Sequence, residues 1–238
     1  MAWGVELNAG DCNPREYKGA VPGGKFTWTS FLFSLFHIGA QKAMSLARQY
    51  CKRCSNEMRR VVPSGDTVSR FTCGECGHID YESPIPAVST ILIAEQKILL
   101  VKRAIPPYVG KWAPPGGFAE KGESMTEAAV RETFEETGIE ISDETLVPFF
   151  MSSITSVNQY YIAFRSHLDH IVEPICGPEA SDAAWFGRNE FPTTEYWLPN
   201  LTSTVLQMFD CIDSQNYKIF LANVNEDEFQ GRSFSIGD

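Results

Sequence analysis

The sequence lacks an apolar run that could cross a bilayer: its nearest candidate, residues 31–38 (FLFSLFHI), is far shorter than the ~18 residues that a span needs. It also lacks an excess of basic charge, because its 20 Lys and Arg residues are outnumbered by 30 Asp and Glu residues, which gives a formal net charge of −10. A protein whose main task is to grip a nucleic-acid backbone needs a basic surface. We therefore expect no membrane partner and no nucleic-acid partner, whereas a small nucleotide held through metal ions stays open.

Internal repeats and low-complexity tracts are absent as well, and 238 residues suffice for one sizeable domain and a small one. The hydrophobic content of 43% and the charged content of 21% are ordinary for a globular protein. The seven cysteines form an odd set that contains two CxxC pairs. That usage argues against a disulfide framework, and it predicts a reducing compartment, the cytoplasm, and a metal site.

The two CxxC pairs predict a structural zinc site. Cys51-x2-Cys54 and Cys73-x2-Cys76 are separated by eighteen residues, a spacing typical of four-thiolate zinc sites. Such a site is closed, so a catalytic role for its zinc is not expected. Short strands at 61–62 and 68–72 would complete a zinc ribbon. His78 lies close by as either a substitute ligand or a surface histidine.

These features suggest four segments. Residues 1–44 form an N-terminal extension for which a disordered tail, a docked helix and a signal-like segment are alternatives; a further one is a natural start at Met44. Residues 46–84 form the ribbon, residues 85–195 the main domain, and residues 196–238 a C-terminal helix and tail. The prolines of 83–86 indicate a linker between the ribbon and the main domain.

Hydrophobic periodicity places strands and a helix around the main domain. We expect a hairpin from 87–94 and 98–102, and an α-helix over 201–212. Further strands are predicted at 111–113, 146–152, 159–166, 183–186 and 217–222.

The stretch from Gly117 to Ile139 (GFAEKGESMTEAAVRETFEETGI) carries an unusual acidic helix. Ser124 with Glu127 forms a capping-box pattern and Gly138 suits a left-handed C-terminal residue, which predicts a helix over 125–137.

At about 100° per residue, three carboxylates share one face of this helix. They belong to Glu132, Glu135 and Glu136. Val130 and Phe134 fall on the opposite face, where we expect core packing. Like charges at these spacings repel. Either Arg131 or, better, a hard divalent cation such as Mg²⁺ or Mn²⁺ would offset that repulsion.

This stretch resembles the Nudix box, G-x5-E-x7-R-E-U-x-E-E-x-G-U, in which U is a bulky aliphatic residue. The matching positions are Gly117, Glu123, Arg131, Glu132, Glu135, Glu136, Gly138 and Ile139; Thr133 at the first U position departs from the pattern. The resemblance implies an α/β/α sandwich with a mixed sheet, preceded here by the zinc ribbon. It also implies Mg²⁺- or Mn²⁺-dependent hydrolysis of a nucleoside diphosphate linked to another moiety.

The same resemblance implies roles for the residues of the box. Glu135 and Glu136, with the Gly117 carbonyl, would bind metal. Glu132 would bind a second metal or polarise the attacking water, and the identity of the general base stays open. Arg131 would orient Glu135 or Glu123 by ion pairing, and Glu123 would fix the loop or reach a metal through water.

A four-cysteine ribbon before such a domain resembles the zinc-ribbon Nudix hydrolases. Residues 102–118 and 177–192 are similar to the branch that acts on ADP-ribose or FAD. The SQPWPFPxS motif of the NADH-type branch and the signature of the coenzyme A-type branch are both absent. The alternatives are an NADH or NAD-cap pyrophosphatase, a broad-range hydrolase, and a non-catalytic ADP-ribose sensor or regulator.

Several residues outside the box are candidates for substrate contacts. Tyr108, Trp112 and Phe118 could stack on an adenine or flavin ring, with packing in the sheet as the alternative for each. Glu179 could add a carboxylate to the metal site or be an exposed loop acid. Lys102 and Arg103 could meet phosphates or be a solvated strand end. We also expect a homodimer, as is common in the family.

Overall fold

The computed structural model describes residues 48–198, 201–224 and 229–235, in two compact units that divide after Ser83. The expectations for residues 1–44 lie outside the described residues. Within the described ranges, every helix is too short or too polar to span a bilayer.

The first unit is a small three-stranded antiparallel sheet in the order β1-β2-β3. Its strands are β1 (Met58–Val61), β2 (Arg70–Cys73) and β3 (Ile79–Asp80). The first strand lies earlier than the sequence indicated, because Met58 rather than Val62 packs inward, and the third strand was not expected. Cys51, Met58, Phe71 and Cys73 make up its small buried core.

The four predicted cysteines converge on one point of this unit. Their sulfur atoms all lie within 4.8 Å of one another, and three of the pairs are 3.4–3.5 Å apart. A disulfide would need about 2.05 Å, whereas a tetrahedron of sulfurs at about 2.3 Å from a zinc ion has edges of roughly 3.8 Å. The donor set and its spacing therefore fit a closed zinc site. His78 is not part of this cluster.

The second unit contains a nine-stranded mixed sheet, with the path β10-β5-β4-β9-β8-β11-β12 and two short strands, β6 on β5 and β7 on β4. The strands are β4 (Ile85–Ala94), β5 (Lys97–Arg103), β6 (Trp112–Ala113), β7 (Gly116–Phe118), β8 (Val147–Ile154), β9 (Gln159–His167), β10 (Ala180–Phe186), β11 (Lys218–Val224) and β12 (Phe229–Ser235). The predicted hairpin is confirmed as β4–β5, and each further predicted strand overlaps one of these elements, with three of them (111–113, 146–152 and 217–222) beginning one residue too early.

Two differences from the sequence predictions lie at the start of β4 and at one edge of the sheet. The linker predicted at 83–86 is too long, because Ile85 and Pro86 already pair in parallel with β9, and the Ile85 N–H donates to the Asn158 carbonyl (3.0 Å). At the far edge, β11 pairs in parallel with β8 and antiparallel with β12. Strand β12 was not predicted, since its alternation of polar and aromatic residues is weak.

The central strand β4 separates two cores. Its residues alternate between the sheet faces, so that Val88 packs towards the helix α1 (Met125–Thr137), whereas Ala87 and Ile91 pack towards the helix α2 (Thr202–Ser214). Helix α2 buries Val205, Phe209 and Ile212 at helical spacing, as their periodicity predicts. Leu206, the fourth apolar position of that pattern, is only half-buried, and Met208 is buried in its place. The result is the expected α/β/α sandwich with a mixed sheet.

We expect the purified protein to contain one zinc ion per chain, held by the cysteine cluster. Cys73→Ser removes a buried thiolate and should abolish stoichiometric zinc, because a structural zinc site needs all four ligands. Metal analysis by mass spectrometry checks this. Cys176→Ser, outside the cluster, is the matched control and should retain zinc. Full zinc content in the Cys73 variant would contradict the assignment.

Candidate active site

Helix α1 begins and ends where the sequence predicted. Ser124 is the N-cap: its hydroxyl accepts from the Glu127 N–H (3.1 Å), while the Glu127 carboxylate accepts from the Ser124 N–H (2.7 Å). Gly138 is left-handed (φ 68°) and its N–H donates to the Phe134 carbonyl (2.8 Å). Both ends of the acidic helix are thus fixed by local hydrogen bonds.

The face that α1 turns to the sheet differs from the expectation. Phe134 is 51% exposed and Val130 is only half-buried, so the prediction that both pack in the core is wrong for Phe134. The fully buried residues are instead small or polar: Ala128, Ala129, Thr133, Thr137 and Glu136. Small residues let the helix lie close to β4, and the hydroxyls are satisfied there.

The buried hydroxyl of Thr133 shows how this polar face is accommodated. It lies 2.7 Å from the Ala129 carbonyl oxygen and 2.9 Å from the Thr90 hydroxyl of β4. Buried polar groups are tolerated when they are hydrogen-bonded. Thr133, the departure from the box, therefore makes a specific contact between α1 and β4. With this contact in place, the side of the helix that carries Glu136 faces the sheet.

Arg131 joins three of the acidic residues. Its Nε and Nη2 atoms bind the two carboxylate oxygens of Glu123 (2.6 and 3.0 Å), and its Nη1 binds Glu132 (2.8 Å) and Glu135 (3.1 Å). A fifth bond runs from Nη2 to the Phe118 carbonyl oxygen (3.1 Å). Bidentate arginine–carboxylate pairs are the strong and geometrically specific ones. The guanidinium therefore offsets the like-charge repulsion that the sequence exposed.

Glu136 is the buried member of the acidic set. The residue is 5% exposed, and its carboxylate accepts from the Gly116 N–H (2.9 Å). Burial raises the pKa of Glu136 to about 7, and the charge of Glu132 adds to this, whereas the Gly116 N–H and the charge of Arg103 oppose it. A buried carboxylate with so little compensation is one that a cation would stabilise.

The other two carboxylates of the site have contrasting environments. Burial raises the pKa of Glu132 above its usual value, against the lowering effect of Arg131, and the charges of Glu135 and Glu179 contribute. The pair with Arg131 lowers the pKa of Glu123 to about 2, helped by the Glu120 N–H. Glu123 is thus held as an anion at the loop–helix junction, whereas burial disfavours the charged form of Glu132.

Three glycines allow the backbone to approach these carboxylates. A Cβ atom at Gly116 would overlap the Val88 carbonyl oxygen, and one at Gly117 would lie 2.5 Å from the Glu132 carboxylate. A Cβ atom at Gly177 would overlap the Glu135 carbonyl oxygen, where the Gly177 N–H also donates to the Glu136 carbonyl (3.1 Å). Gly177 holds the 177–179 segment against the end of α1, a role that the sequence did not reveal.

The carboxylates do not yet converge as metal ligands do. Among the described residues, the cysteine cluster is the group of three or more ligand atoms that lie within 4.8 Å of one another. The acidic set falls outside that limit, with Arg131 between Glu132 and Glu135. The oxygen donors suit Mg²⁺ or Mn²⁺, and the buried Glu136 carboxylate supplies a reason for a cation to bind.

The residues predicted to contact the substrate differ in their exposure and packing. Tyr108 and Phe118 are half-exposed (49% and 50%), and Phe118 lies beside the acidic set through its carbonyl contact with Arg131. Trp112 is buried at 7% and packs edge-to-face on Phe186, with Lys102 over its ring. Of the two alternatives for Trp112, this burial favours packing in the sheet over stacking on a substrate ring.

Glu179 and Arg103 lie near the carboxylates without touching them in a hydrogen bond. Glu179 is exposed at the start of β10, and its charge acts on both Glu132 and Glu136. Its carbonyl accepts from Ala104, next to Arg103 (2.8 Å). Sequence analysis did not single out Trp197, whose ring contacts the ring of Tyr108 (centroids 5.9 Å apart). No sequence motif identifies this residue.

We expect Glu136→Gln to change how the stability of the magnesium-free protein depends on pH. Because the folded-state pKa of Glu136 is raised, the wild type loses stability as the pH rises from about 4.5 to about 7. Glutamine retains the bond from Gly116 without the charge. The variant should therefore exceed the wild type by about 2–3 kcal/mol at pH 8 and match it near pH 4.5.

Urea unfolding followed by tryptophan fluorescence at each pH measures this difference. Glu140→Gln, an exposed acid just past the helix, is the control and should follow the wild type. Parallel pH profiles of the Glu136 variant and the wild type would show that the carboxylate is not destabilised by burial.

Comparisons with known proteins agree with this geometry. The NUDIX domain model matches residues 83–205 and the Nudix N-terminal model matches residues 49–82. An ADP-ribose pyrophosphatase of Methanocaldococcus jannaschii is 37% identical over 113 residues, which cover 47% of this chain and 67% of that protein.

Two further relatives match a larger share of the chain. The NAD-capped RNA hydrolase NudC of Chromobacterium violaceum is 29% identical over 147 residues, or 61% of this chain and 52% of that protein. This chain thus aligns with about half the length of such hydrolases. The crystal structure of a NUDIX hydrolase from Nitrosomonas europaea matches with a TM-score of 0.68 and 30% identity, covering 75% of this chain and 99% of that one. The chain therefore belongs to the Nudix hydrolase family, as a Nudix domain preceded by the zinc-ribbon module of that family.

Proposed function

We propose that the protein hydrolyses the pyrophosphate bond of a dinucleotide-like substrate, such as ADP-ribose or FAD, to two monophosphates in a Mg²⁺- or Mn²⁺-dependent reaction. The observation that carries this proposal is the acidic face of α1 held against the Gly116–Phe118 strand. There Arg131 binds the partly buried Glu132 and the exposed Glu135, while the buried Glu136 is held by the Gly116 N–H. Arg131 offsets the repulsion among Glu123, Glu132 and Glu135, but burial still disfavours the charged form of Glu136, which a bound cation would stabilise.

The residues suited to hold the divalent ion are Glu132, Glu135 and Glu136, with the carbonyl oxygen of Gly117. When bound, the ion would neutralise phosphate charge and lower the pKa of the attacking water. The Gly116 N–H keeps the Glu136 carboxylate pointing at the turn (2.9 Å). Glu132 and Glu135 would be presented by Arg131, which touches both.

Arg131 acts as a positioning residue in this scheme. Its bidentate bond to Glu123 fixes the guanidinium, and the remaining nitrogen reaches Glu132 and Glu135. Hydrolysis requires one of the carboxylates to take a proton from the water molecule that attacks the phosphorus. Glu132 and Glu136, whose pKa values are raised, are better proton acceptors than Glu123, whose pKa is about 2. Glu179 is a third candidate for this proton.

Three arguments favour the ADP-ribose or FAD class of substrate. The 37% identical relative is an ADP-ribose pyrophosphatase. The NADH-type motif is absent after the box. Tyr108 and Phe118 expose aromatic rings, with Phe118 beside Arg131, where a planar group of the substrate could stack.

The second candidate is an NAD-cap pyrophosphatase, because a relative with that activity aligns over 147 residues of this chain. A long RNA substrate would need basic surface on the ribbon. The ribbon has six basic residues, of which Arg60 pairs with Glu82, Arg70 with Asp66, Arg48 lies 3.7 Å from Glu57 and Lys52 lies 3.9 Å from Asp80. Within the part of the chain that the structure describes, only Arg53 and Arg59 of this set lack an ion pair, so the ribbon offers little free positive charge for RNA.

We expect Glu135→Gln to lower kcat on ADP-ribose by about a thousandfold or more, because a neutral amide cannot take the carboxylate's place towards a divalent ion. Release of AMP with Mg²⁺ or Mn²⁺ is the measurement. Glu140→Gln is the matched control, an exposed acid that α1 does not direct at the turn, and its rate should equal that of the wild type.

The substrates are compared in the same assay. We expect ADP-ribose and FAD to be cleaved faster than NADH, NAD-capped RNA and coenzyme A. If the wild type releases no monophosphate from any of them, the enzymatic proposal fails and the sensor alternative gains support. Measurement of the molar mass in solution would test the predicted homodimer.

A further inference from the structure

Strand β4 carries two hydroxyl groups in the middle of its buried stretch. Every residue from Ala87 to Ala94 is buried, and Ser89 and Thr90 are the polar ones among them. Neighbouring residues of a strand point to opposite faces. The Ser89 hydroxyl accordingly bonds to Tyr161 on the α2 side (2.6 Å), whereas the Thr90 hydroxyl faces α1 and lies 2.9 Å from the hydroxyl of Thr133.

Three oxygen atoms make up this contact between strand and helix. The Thr133 Oγ1 atom lies 2.7 Å from the Ala129 carbonyl oxygen, whereas Thr90 Oγ1 lies 3.4 Å from the same carbonyl. Each hydroxyl has one hydrogen to donate. Both hydrogens follow the shorter separations when Thr133 donates to Ala129, within the helix, and Thr90 donates to Thr133. The hydroxyl of Thr90 thus supplies the bond that crosses from β4 to α1.

The backbone of the same residue holds the glycine turn. The Thr90 N–H donates to the Pro115 carbonyl (2.9 Å), and the next residue of the turn, Gly116, donates its own N–H to the Glu136 carboxylate (2.9 Å). Gly116 also lies too close to Ser89 of β4 to admit a Cβ atom. Thr90 therefore contacts both parts of the acidic site, the helix that carries the carboxylates and the turn that receives them.

The position of Thr133 in α1 makes this contact matter for the carboxylates. Thr133 directly follows Glu132 and precedes Glu136 by three residues, so a rotation of the helix about its axis would move both acids. The buried apolar residues of α1 are Ala128 and Ala129, and their contacts with the sheet are non-directional. A hydrogen bond, by contrast, requires its donor and acceptor to be aligned.

We propose that Thr90 is a positioning residue for the divalent ion held at the acidic site. Its hydroxyl sets the rotation of α1 and its N–H sets the turn, so that Glu132, Glu136 and the Gly117 carbonyl present their oxygen atoms together. This inference rests on the proposed function, which assigns the ion to these residues, and it adds a residue that touches neither ion nor substrate. Residues that hold metal ligands in place typically contribute about 10- to 100-fold to the affinity for the metal.

The test measures Mn²⁺ binding to the full-length, zinc-loaded protein without substrate, from the electron paramagnetic resonance signal of free Mn²⁺. Thr90→Val keeps the shape and the backbone N–H, and it leaves Thr133 donating to Ala129, so that no buried hydroxyl loses its acceptor. We expect this variant to raise the Kd for Mn²⁺ about tenfold or more. Its melting temperature should fall by less than about 4 °C, because one hydrogen bond is lost.

Three further variants separate positioning from a general loss of stability. Thr90→Ser retains the hydroxyl and should bind Mn²⁺ within about twofold of the wild type. Thr137→Val removes another buried hydroxyl of α1, which lies 2.6 Å from the Thr133 carbonyl oxygen and accepts from the Ile139 N–H (3.2 Å). It should lower the melting temperature but leave the Kd for Mn²⁺ within about twofold. Glu136→Gln should abolish Mn²⁺ binding, which locates the ion at α1.

Wild-type Mn²⁺ affinity in Thr90→Val overturns the inference, and release of AMP by the wild type then leaves the proposed function standing. An equal loss of affinity in Thr137→Val overturns it too, because the defect is then a general loosening of the helix. If Thr90→Val does not fold, Thr90→Ser and Thr90→Ala decide, since they differ only in the hydroxyl.

Two results of the wild type separate this inference from the proposed function. Mn²⁺ binding that depends on Thr90, together with no release of monophosphate from any diphosphate, would support the positioning role and refute the hydrolase. A wild type that binds no Mn²⁺ would overturn the positioning role, because the carboxylates would then have no ion to receive.

Discussion

The packing of α1 against β4 through a polar face is the constraint on which the rest of the site depends. The helix buries Thr133, Thr137 and Glu136 where an ordinary amphipathic helix buries aliphatic side chains. This arrangement is stable only because each buried polar group meets a partner: hydroxyls meet Thr90 and backbone carbonyls, and Glu136 meets the Gly116 N–H. The glycine turn and the helix therefore determine each other's position.

Arg131 is the second element of this arrangement, and it resolves the electrostatic conflict without a metal ion. Its planar fork is suited to several carboxylates at once, which a lysine ammonium would hold less specifically. Glu123 and the Phe118 carbonyl fix the guanidinium, so that Glu132 and Glu135 are drawn to a defined place. A bound cation would meet carboxylates already gathered by one positive charge, while Glu136 remains the anion without such a partner.

Strand β4 presents its two faces to different helices. Val88 and Thr90 face α1, and Ser89 and Ile91 face the α2 side of the sheet. A strand alternates its side chains between faces with a period of two. The two cores on either side of the sheet are therefore in contact with the same strand.

Much of the fold and part of the site follow from the sequence alone, because they depend on local signals. Ser124, Glu127 and Gly138 specify the ends of α1 through bonds within a few residues, and two CxxC turns specify a sulfur cluster. The hydrophobic alternation locates β4 and β5. By contrast, the weak pattern of residues 229–235 hides β12, whose place depends on pairing with β11.

What only the tertiary structure decided is the direction in which each side chain faces. Helical spacing put Glu132, Glu135 and Glu136 on one side of α1, but it also placed Phe134 in the core, since periodicity cannot tell which sector of a helix a sheet will cover. Gly177 and Trp197 come from segments about 40 and 60 residues beyond the box, and their closeness to Glu135 and Tyr108 exists only after the sheet has formed. The sequence by itself determined the family, the acidic platform and the thiolate cluster. Long-range packing decided which carboxylate is buried, which aromatic ring is free and where a substrate could lie.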